Sequence, residues 1–225
     1  MVRGDKMQGS TRSNKGVGGL VARLTLALTL GVSVAALAQD APDKIVKSVA
    51  DEVLNALRQD PDLQAGSQTK MARLIEQKVA PHFDFERMAR LAVGRSWRQA
   101  TVEQQKALVD QFRALLVRSY STAYAAYRNI VIEVKPLKIQ SGDDDVLVRS
   151  EIKLPGGAPP VGVDYSMFKT DSDWKVYDVT VEGVSLVTTY RSTFAEDIRQ
   201  NGIDGLIKSL QEKNAPPPPG VKKKQ

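Results

Sequence analysis

The sequence predicts an α+β domain in which helices cover a curved antiparallel sheet. Three observations carry this. Apolar residues recur at three- and four-residue spacings through the first half, alternate with period 2 from about residue 130 to 187, and return to helical spacing after Tyr190. The connections between the strand candidates are hairpin-length, which antiparallel pairing permits and parallel crossovers exclude.

The elements follow in order. Asp43 to Arg58 places Ile45, Val46, Val49, Val53, Leu54 and Leu57 on one helical face and breaks at Asp60-Pro61. Gln68 to Val79 repeats the pattern with Met71, Leu74, Ile75 and Val79, and Pro81 stops it. Asp84 is placed to cap a short helix over 85–93 that ends at Gly94. Thr101-Val-Glu-Gln104 has the form of a capping box and opens the longest helix, about Val102 to Arg128. Its apolar stripe holds Leu108, Phe112, Leu115, Leu116, Tyr120, Ala123, Tyr124 and Tyr127, with Lys106, Asp110, Arg113 and Ser121 opposite.

Strands are expected at Ile130–Val134, Asp145–Leu154, Val161–Lys169, Trp174–Val181 and Val184–Val187. Ser141 to Asp144, Pro155 to Pro160 and Thr170 to Asp173 supply the turns. Two helices, Tyr190–Gln200 and Gly205–Glu212, are separated by Asn201-Gly202. The domain therefore spans 39–213: helical to about 129, sheet over about 130–187, closing helices over about 190–213. The Pro- and Lys-rich residues 214–225 lack anything to bury and read as a disordered tail.

Charge needs to be located before it is interpreted. The 225 residues carry a formal +6, which invites a nucleic-acid reading. Residues 1–38 hold +4 and the last five residues +3, leaving −1 for 39–220. A basic groove that tracks a nucleic-acid backbone is not supported. Residues 24–38, LTLALTLGVSVAALA, follow basic residues and end in Ala36-Leu37-Ala38, the pattern of a signal peptide cut after Ala38. The run falls short of the roughly 20 apolar residues that span a bilayer. No twin-arginine pair precedes it, so the general secretory route is expected. Met1 and Met7 both stand as starts, and the mature chain carries +2.

Candidate chemistry is sparse. With no cysteine and one histidine, the chain has no disulfide, no thiol nucleophile and no Cys-based zinc site. Gly183-Val-Ser185-Leu-Val187 resembles a nucleophile elbow only faintly, since valine replaces the second glycine, and Ser185 reads better as a turn residue. His82 follows Pro81 at a helix end and suits a capping or surface role. Asp143 to Asp145 lacks the spacing and central glycine of a calcium loop and reads as a solvated hairpin tip. The long apolar helix over a sheet rich in Val, Tyr and Phe either fills itself with side chains or encloses a ligand.

Two stretches carry a family resemblance. Residues 81–98, PHFDFERMARLAVGRSWR, with the QATVEQQKALVDQFRALLVRSY that follows, resemble the middle of the MlaC, or toluene-tolerance, family. Residues 173–210 resemble its C-terminal signature through Trp174 to Asp178, Glu182 to Ser185, Tyr190-Arg191, Phe194 and Gly202 to Leu206. The resemblance covers about 42–213. It implies an NTF2-like sheet-and-helix unit joined to a helical subdomain and enclosing an apolar lipid cavity. It also implies a non-enzymatic periplasmic phospholipid shuttle without cofactor or metal. The implied partners are an outer-membrane lipoprotein–porin complex and the MCE-domain protein of an inner-membrane ABC transporter. A carrier of another envelope lipid, such as a hopanoid, and a lipid-modifying enzyme are the alternatives.

On that reading the tail-lining residues, placed by pattern, are Phe112, Leu116, Tyr120, Val148, Val163, Tyr165, Trp174, Val179, Val184 and Leu186. Two acyl chains in water would cost on the order of 20 kcal/mol at about 0.8 kcal/mol per CH₂, so the carrier must be generous with apolar surface. Val184 is the sharpest of these choices, and a buried glutamate there is expected to lower bound lipid.

Overall fold

Pro42 at the first position and Asp43 in the first turn open helix α1, Pro42–Gln59. The computed structural model describes residues 40–124, 130–140 and 142–215. The expected signal peptide, Tyr127, Arg128, Ser141 and the tail beyond residue 215 lie outside the described residues. Asp60 ends α1 and caps the next turn, α2, Pro61–Gln64, accepting from the amides of Asp62 (2.8 Å) and Leu63 (3.3 Å). Helix α3 spans Gln68–Leu74 and continues as a wide π-turn over Ile75–Val79, then a 3₁₀ turn over Ala80–His82. The sequence reads one regular helix to Val79. Pro81 cannot donate to the carbonyl four residues back, so the helix leaves regular geometry on approach.

Asp84 caps α4, Phe85–Val93, through its carboxylate and the Arg87 amide (2.8 Å). A 3₁₀ segment, Gly94–Gln99, then leads to α5, Val102–Tyr124. The capping box forms: Gln104 N–H donates to Thr101 Oγ1 (3.2 Å), and Thr101 N–H to Gln104 Oε1 (3.0 Å). Thr101→Ala is expected to lower stability by about 1 kcal/mol, read as a shifted urea midpoint at unchanged slope. Ser121 departs from its expected solvent face. It is 3% exposed, with its hydroxyl donating to the Arg118 carbonyl (2.9 Å). Helix α5 is covered on two sides, Leu108, Phe112 and Leu116 meeting one cluster and Val117 another.

The sheet is an antiparallel meander in sequence order: β1 Val131–Val134, β2 Asp145–Lys153, β3 Val161–Lys169, β4 Trp174–Val181 and β5 Val184–Ser185. It is curved and unclosed. On its covered face Val148 opposes Tyr165, Ser150 opposes Val163, and Met167 opposes Val176. The register slips beside Ser166/Met167, so that Ser166 pairs with Asp178, Met167 pairs with Val176, and Tyr177 is unopposed. This bulge lets Val176 and Val179, three residues apart, both join the cluster on that face, and it sharpens the local twist.

Helix α6, Leu186–Asn214, departs from two expectations. Leu186 and Val187 belong to its first turn and not to a strand. The two expected helices are its two arms, which meet at a kink at Gly202 (φ 72°, ψ −177°). A side chain would be strained in that conformation, which explains the glycine.

Candidate functional site

The described apolar side chains gather into three clusters, two of which hold most of the expected lipid-facing residues. The first is all-helical: Met88, Ala89, Ala92 and Val93 of α4, Trp97 of the 3₁₀ segment, Leu108, Phe112 and Leu116 of α5, and Val187, Phe194, Leu206 and Leu210 of α6. The second joins sheet and α1 through Ile45, Val46, Val148, Met167, Trp174 and Val176. Phe83 packs against both. Its segment is tied to β4 by a bridge to Val176 and by the Asp84 amide donating to the Val176 carbonyl (2.9 Å). Phe83 is therefore the joint between helical and sheet interiors.

The expected residues divide between these interiors. Phe112 and Leu116 are buried in the helical cluster, with Leu186 packed on it. Val148 and Trp174 are buried in the sheet cluster, with Tyr165 and Val179 packed on it. Val163 is buried on β3 beside Ser150. Tyr120 lies at the edge, 38% exposed. Val184 is 62% exposed, so the premise that a glutamate there would be buried does not hold in this conformation. Ile45, Val46, Phe83 and Met167 share these interiors without being among the expected lipid-facing residues, Ile45 and Val46 being read only as the apolar face of the first helix. The strand alternation running from Val163 to Met167 could have placed Met167, but no local signal brings α1 to the sheet.

Phe112 sits at the centre of an aromatic triad. Its ring meets Tyr190 at 5.0 Å and 74° and Phe194 at 5.2 Å and 75°, both edge-on, while Tyr190 and Phe194 are 5.5 Å apart. Burial pushes the Tyr190 phenol above its ordinary pKa, and burial followed by the nearness of Tyr190 does the same to Tyr120. Both phenols are therefore neutral hydrogen-bonding groups at physiological pH.

The signature loop is held by a carboxylate. Asp178 accepts from Ser185 Oγ (2.6 Å), Val187 N–H (3.0 Å) and Val179 N–H (2.8 Å), and Ser185 Oγ accepts from Thr188 N–H (3.0 Å). Ser185 is thus the N-cap of α6, with its hydroxyl engaged as donor and acceptor. Across the sheet, Arg87 lies over the Tyr177 ring at 3.6 Å and reaches Asp145 at 3.1 Å. Asp145 also accepts from the Tyr177 hydroxyl at 2.8 Å. That places Asp145 in a structural tether. Among the described residues no group of three or more His, Cys, Asp or Glu could hold a metal ion. Among them, too, no helix is long and apolar enough to cross a membrane.

The fold and its interior define a helix-covered antiparallel-sheet domain whose facing surfaces are aliphatic and aromatic. The family model described as MlaC protein matches residues 47–212, and the chain belongs to that family. Among its relatives is the intermembrane phospholipid transport system binding protein MlaC of Haemophilus influenzae. It is 22% identical over 197 residues, which are 86% of this chain and 92% of the relative. The toluene tolerance protein ttg2D of Pseudomonas putida is 24% identical over 187 residues, 82% of this chain and 86% of that protein. Among solved structures, the phospholipid-binding protein of Ralstonia solanacearum, determined in complex with a phospholipid, superposes with a TM-score of 0.71. It shares 39% identity, covering 78% of this chain and 97% of its own.

Proposed function

We propose that this protein binds a phospholipid by its acyl chains and shuttles it through the periplasm after removal of its leader. The observation that carries the reading is the likeness, at 39% identity, to a protein whose structure holds a phospholipid. The chemistry fits the task. The seam between the helical and sheet clusters, jointed at Phe83, offers apolar surface on both sides. Chains entering the seam exchange bilayer contacts for side-chain contacts without exposure to water. Lipid would be taken from an outer-membrane lipoprotein–porin complex, or delivered to it, and exchanged with the MCE-domain protein of an inner-membrane ABC transporter. Docking would release lipid by favouring the open seam, so this chain needs no nucleotide of its own.

Organic extraction of the natively purified protein, followed by lipid mass spectrometry, tests the reading. Phospholipid at near one molecule per chain is expected, and an extract holding only another lipid, or none, overturns it. Val184 is assigned to the rim: an apolar side chain left 62% exposed is one that a bound chain would cover. Val184→Glu is then expected to keep the wild-type melting temperature, because the carboxylate stays hydrated in the free state, and to lower co-purified phospholipid several-fold. Unchanged lipid occupancy in a folded Val184→Glu protein removes Val184 from the site.

A further inference from the structure

A groove of about 620 Å³ lies on the molecule, lined by Arg90, Leu91, Gly94, Arg95, Trp97, Arg98 and Arg191. Four guanidinium groups and no acid line it. Among the described residues none of the four guanidinium groups forms an ion pair, a hydrogen bond or a ring contact. Lys70, Lys135 and Arg113, by contrast, each have carboxylate partners, and residues 39–220 total −1, so four arginines with no acid among them concentrate positive charge locally.

The groove is assembled from distant parts of the chain. In the 3₁₀ segment Gly94–Gln99, residues three apart share a face, which aligns Arg95 with Arg98. Trp97, buried in the helical cluster, anchors the segment. Arg90 occupies the last turn of α4, where the helix dipole accounts for a cation. Arg191 arrives from α6, and its guanidinium lies against Gly94. A Cβ at Gly94 would come within 3.3 Å of Arg191 Nε, and the residue also has φ 63°. Glycine at 94 thus both permits the turn and leaves room for the fourth arginine.

We propose that this groove binds a multiply charged organophosphate. Concentrating four like charges raises the free energy of the empty site, and an anion relieves it. Guanidinium forks match phosphate oxygens two at a time. The volume falls in the range of small-molecule sites, roughly 300–1,000 Å³, whereas an acidic protein partner needs a broad face of about 800 Å². Leu91 and Trp97 add apolar lining that suits the carbon stem of such a ligand. The inference is independent of acyl-chain carriage.

The test uses the mature chain and the double variant Arg95→Gln/Arg98→Gln, both positions being exposed and tolerant of the change. Inorganic pyrophosphate, titrated calorimetrically at low salt, is expected to bind wild type. The double variant should bind roughly a hundredfold more weakly, about tenfold per charge-assisted contact. Binding should vanish near ~1 M salt, where the Debye length is about 3 Å. Vesicles of phosphatidylcholine, with and without phosphatidic acid, separate the sources. Recruitment only by phosphatidic acid, lost in the variant, assigns a lipid headgroup. Pyrophosphate binding without recruitment assigns a soluble organophosphate. Co-purified lipid is read in parallel and should be equal in wild type and variant, so the two proposals fail separately. The proposal is overturned if wild type binds neither probe, if the variant binds as well as wild type, or if polyglutamate alone binds.

Discussion

Replacing Phe112 with alanine is expected to lower the unfolding free energy by about 3–5 kcal/mol, the range for truncating a fully buried phenylalanine. Phe112 is 0% exposed, and its ring is the only member of the aromatic triad contributed by α5. Truncation removes the transfer free energy of the ring, leaves a cavity between α5 and α6, and deletes two edge-on contacts worth about 0.5–1.5 kcal/mol each. Against a typical total of about 5–15 kcal/mol, the variant would be marginal at 37 °C. Phe112→Leu separates volume from aromaticity and should recover more than half of the loss. Urea denaturation of the three proteins checks this. A Phe112→Ala loss below about 1 kcal/mol would mean that α5 and α6 are not held together by this triad.

Asp178→Ala should be the next most damaging change, at about 2–3 kcal/mol. The carboxylate is half-buried and accepts from one hydroxyl and two amides, joining β4, β5 and the first turn of α6. Removing it leaves the Val187 amide and the Ser185 hydroxyl without their acceptor, where hydrogen bonds to a charged group contribute about 1.5–3 kcal/mol. Ser185→Ala alone should lose about 1 kcal/mol, the usual value of an N-cap. The double variant should lose less than the sum, because both residues act on the same helix end. Hydrogen exchange would localise the effect: the amides of Val187 and Thr188 should lose protection before those of α5. Additive losses, or exchange spread evenly over the domain, contradict this account of the signature loop.

Much of this fold is legible in the sequence where local chemistry decides. The bounds of β3, β4 and α4 follow from alternation, from Asp84 as cap and from Gly94 as stop, and α5 starts where the Thr101–Gln104 box predicts. The misread segments are those settled by distant partners. Val184-Ser-Leu-Val187 has strand composition, yet Asp178 accepts the Val187 amide and turns Leu186 and Val187 into helix. Ser121 reads as solvent-facing until the second packing surface of α5 covers it. Of the expected lipid-facing residues, the buried ones were visible as stripes. Val184 is apolar by sequence and exposed only by its place beside the β4–β5 turn. The arginine groove had no local signature, because Arg191 is far in sequence from Arg90, Arg95 and Arg98.

The two tryptophans allow a direct test of where acyl chains sit. Trp174 lies in the sheet cluster at the proposed seam, and Trp97 lines the arginine groove. In a Trp97→Phe protein, loaded with phospholipid brominated along its acyl chains, the remaining Trp174 emission should be strongly quenched. Unbrominated phospholipid should leave it bright. Equal emission from the two lipid-loaded forms would contradict the proposal that this protein carries phospholipid by enclosing its chains between helices and sheet.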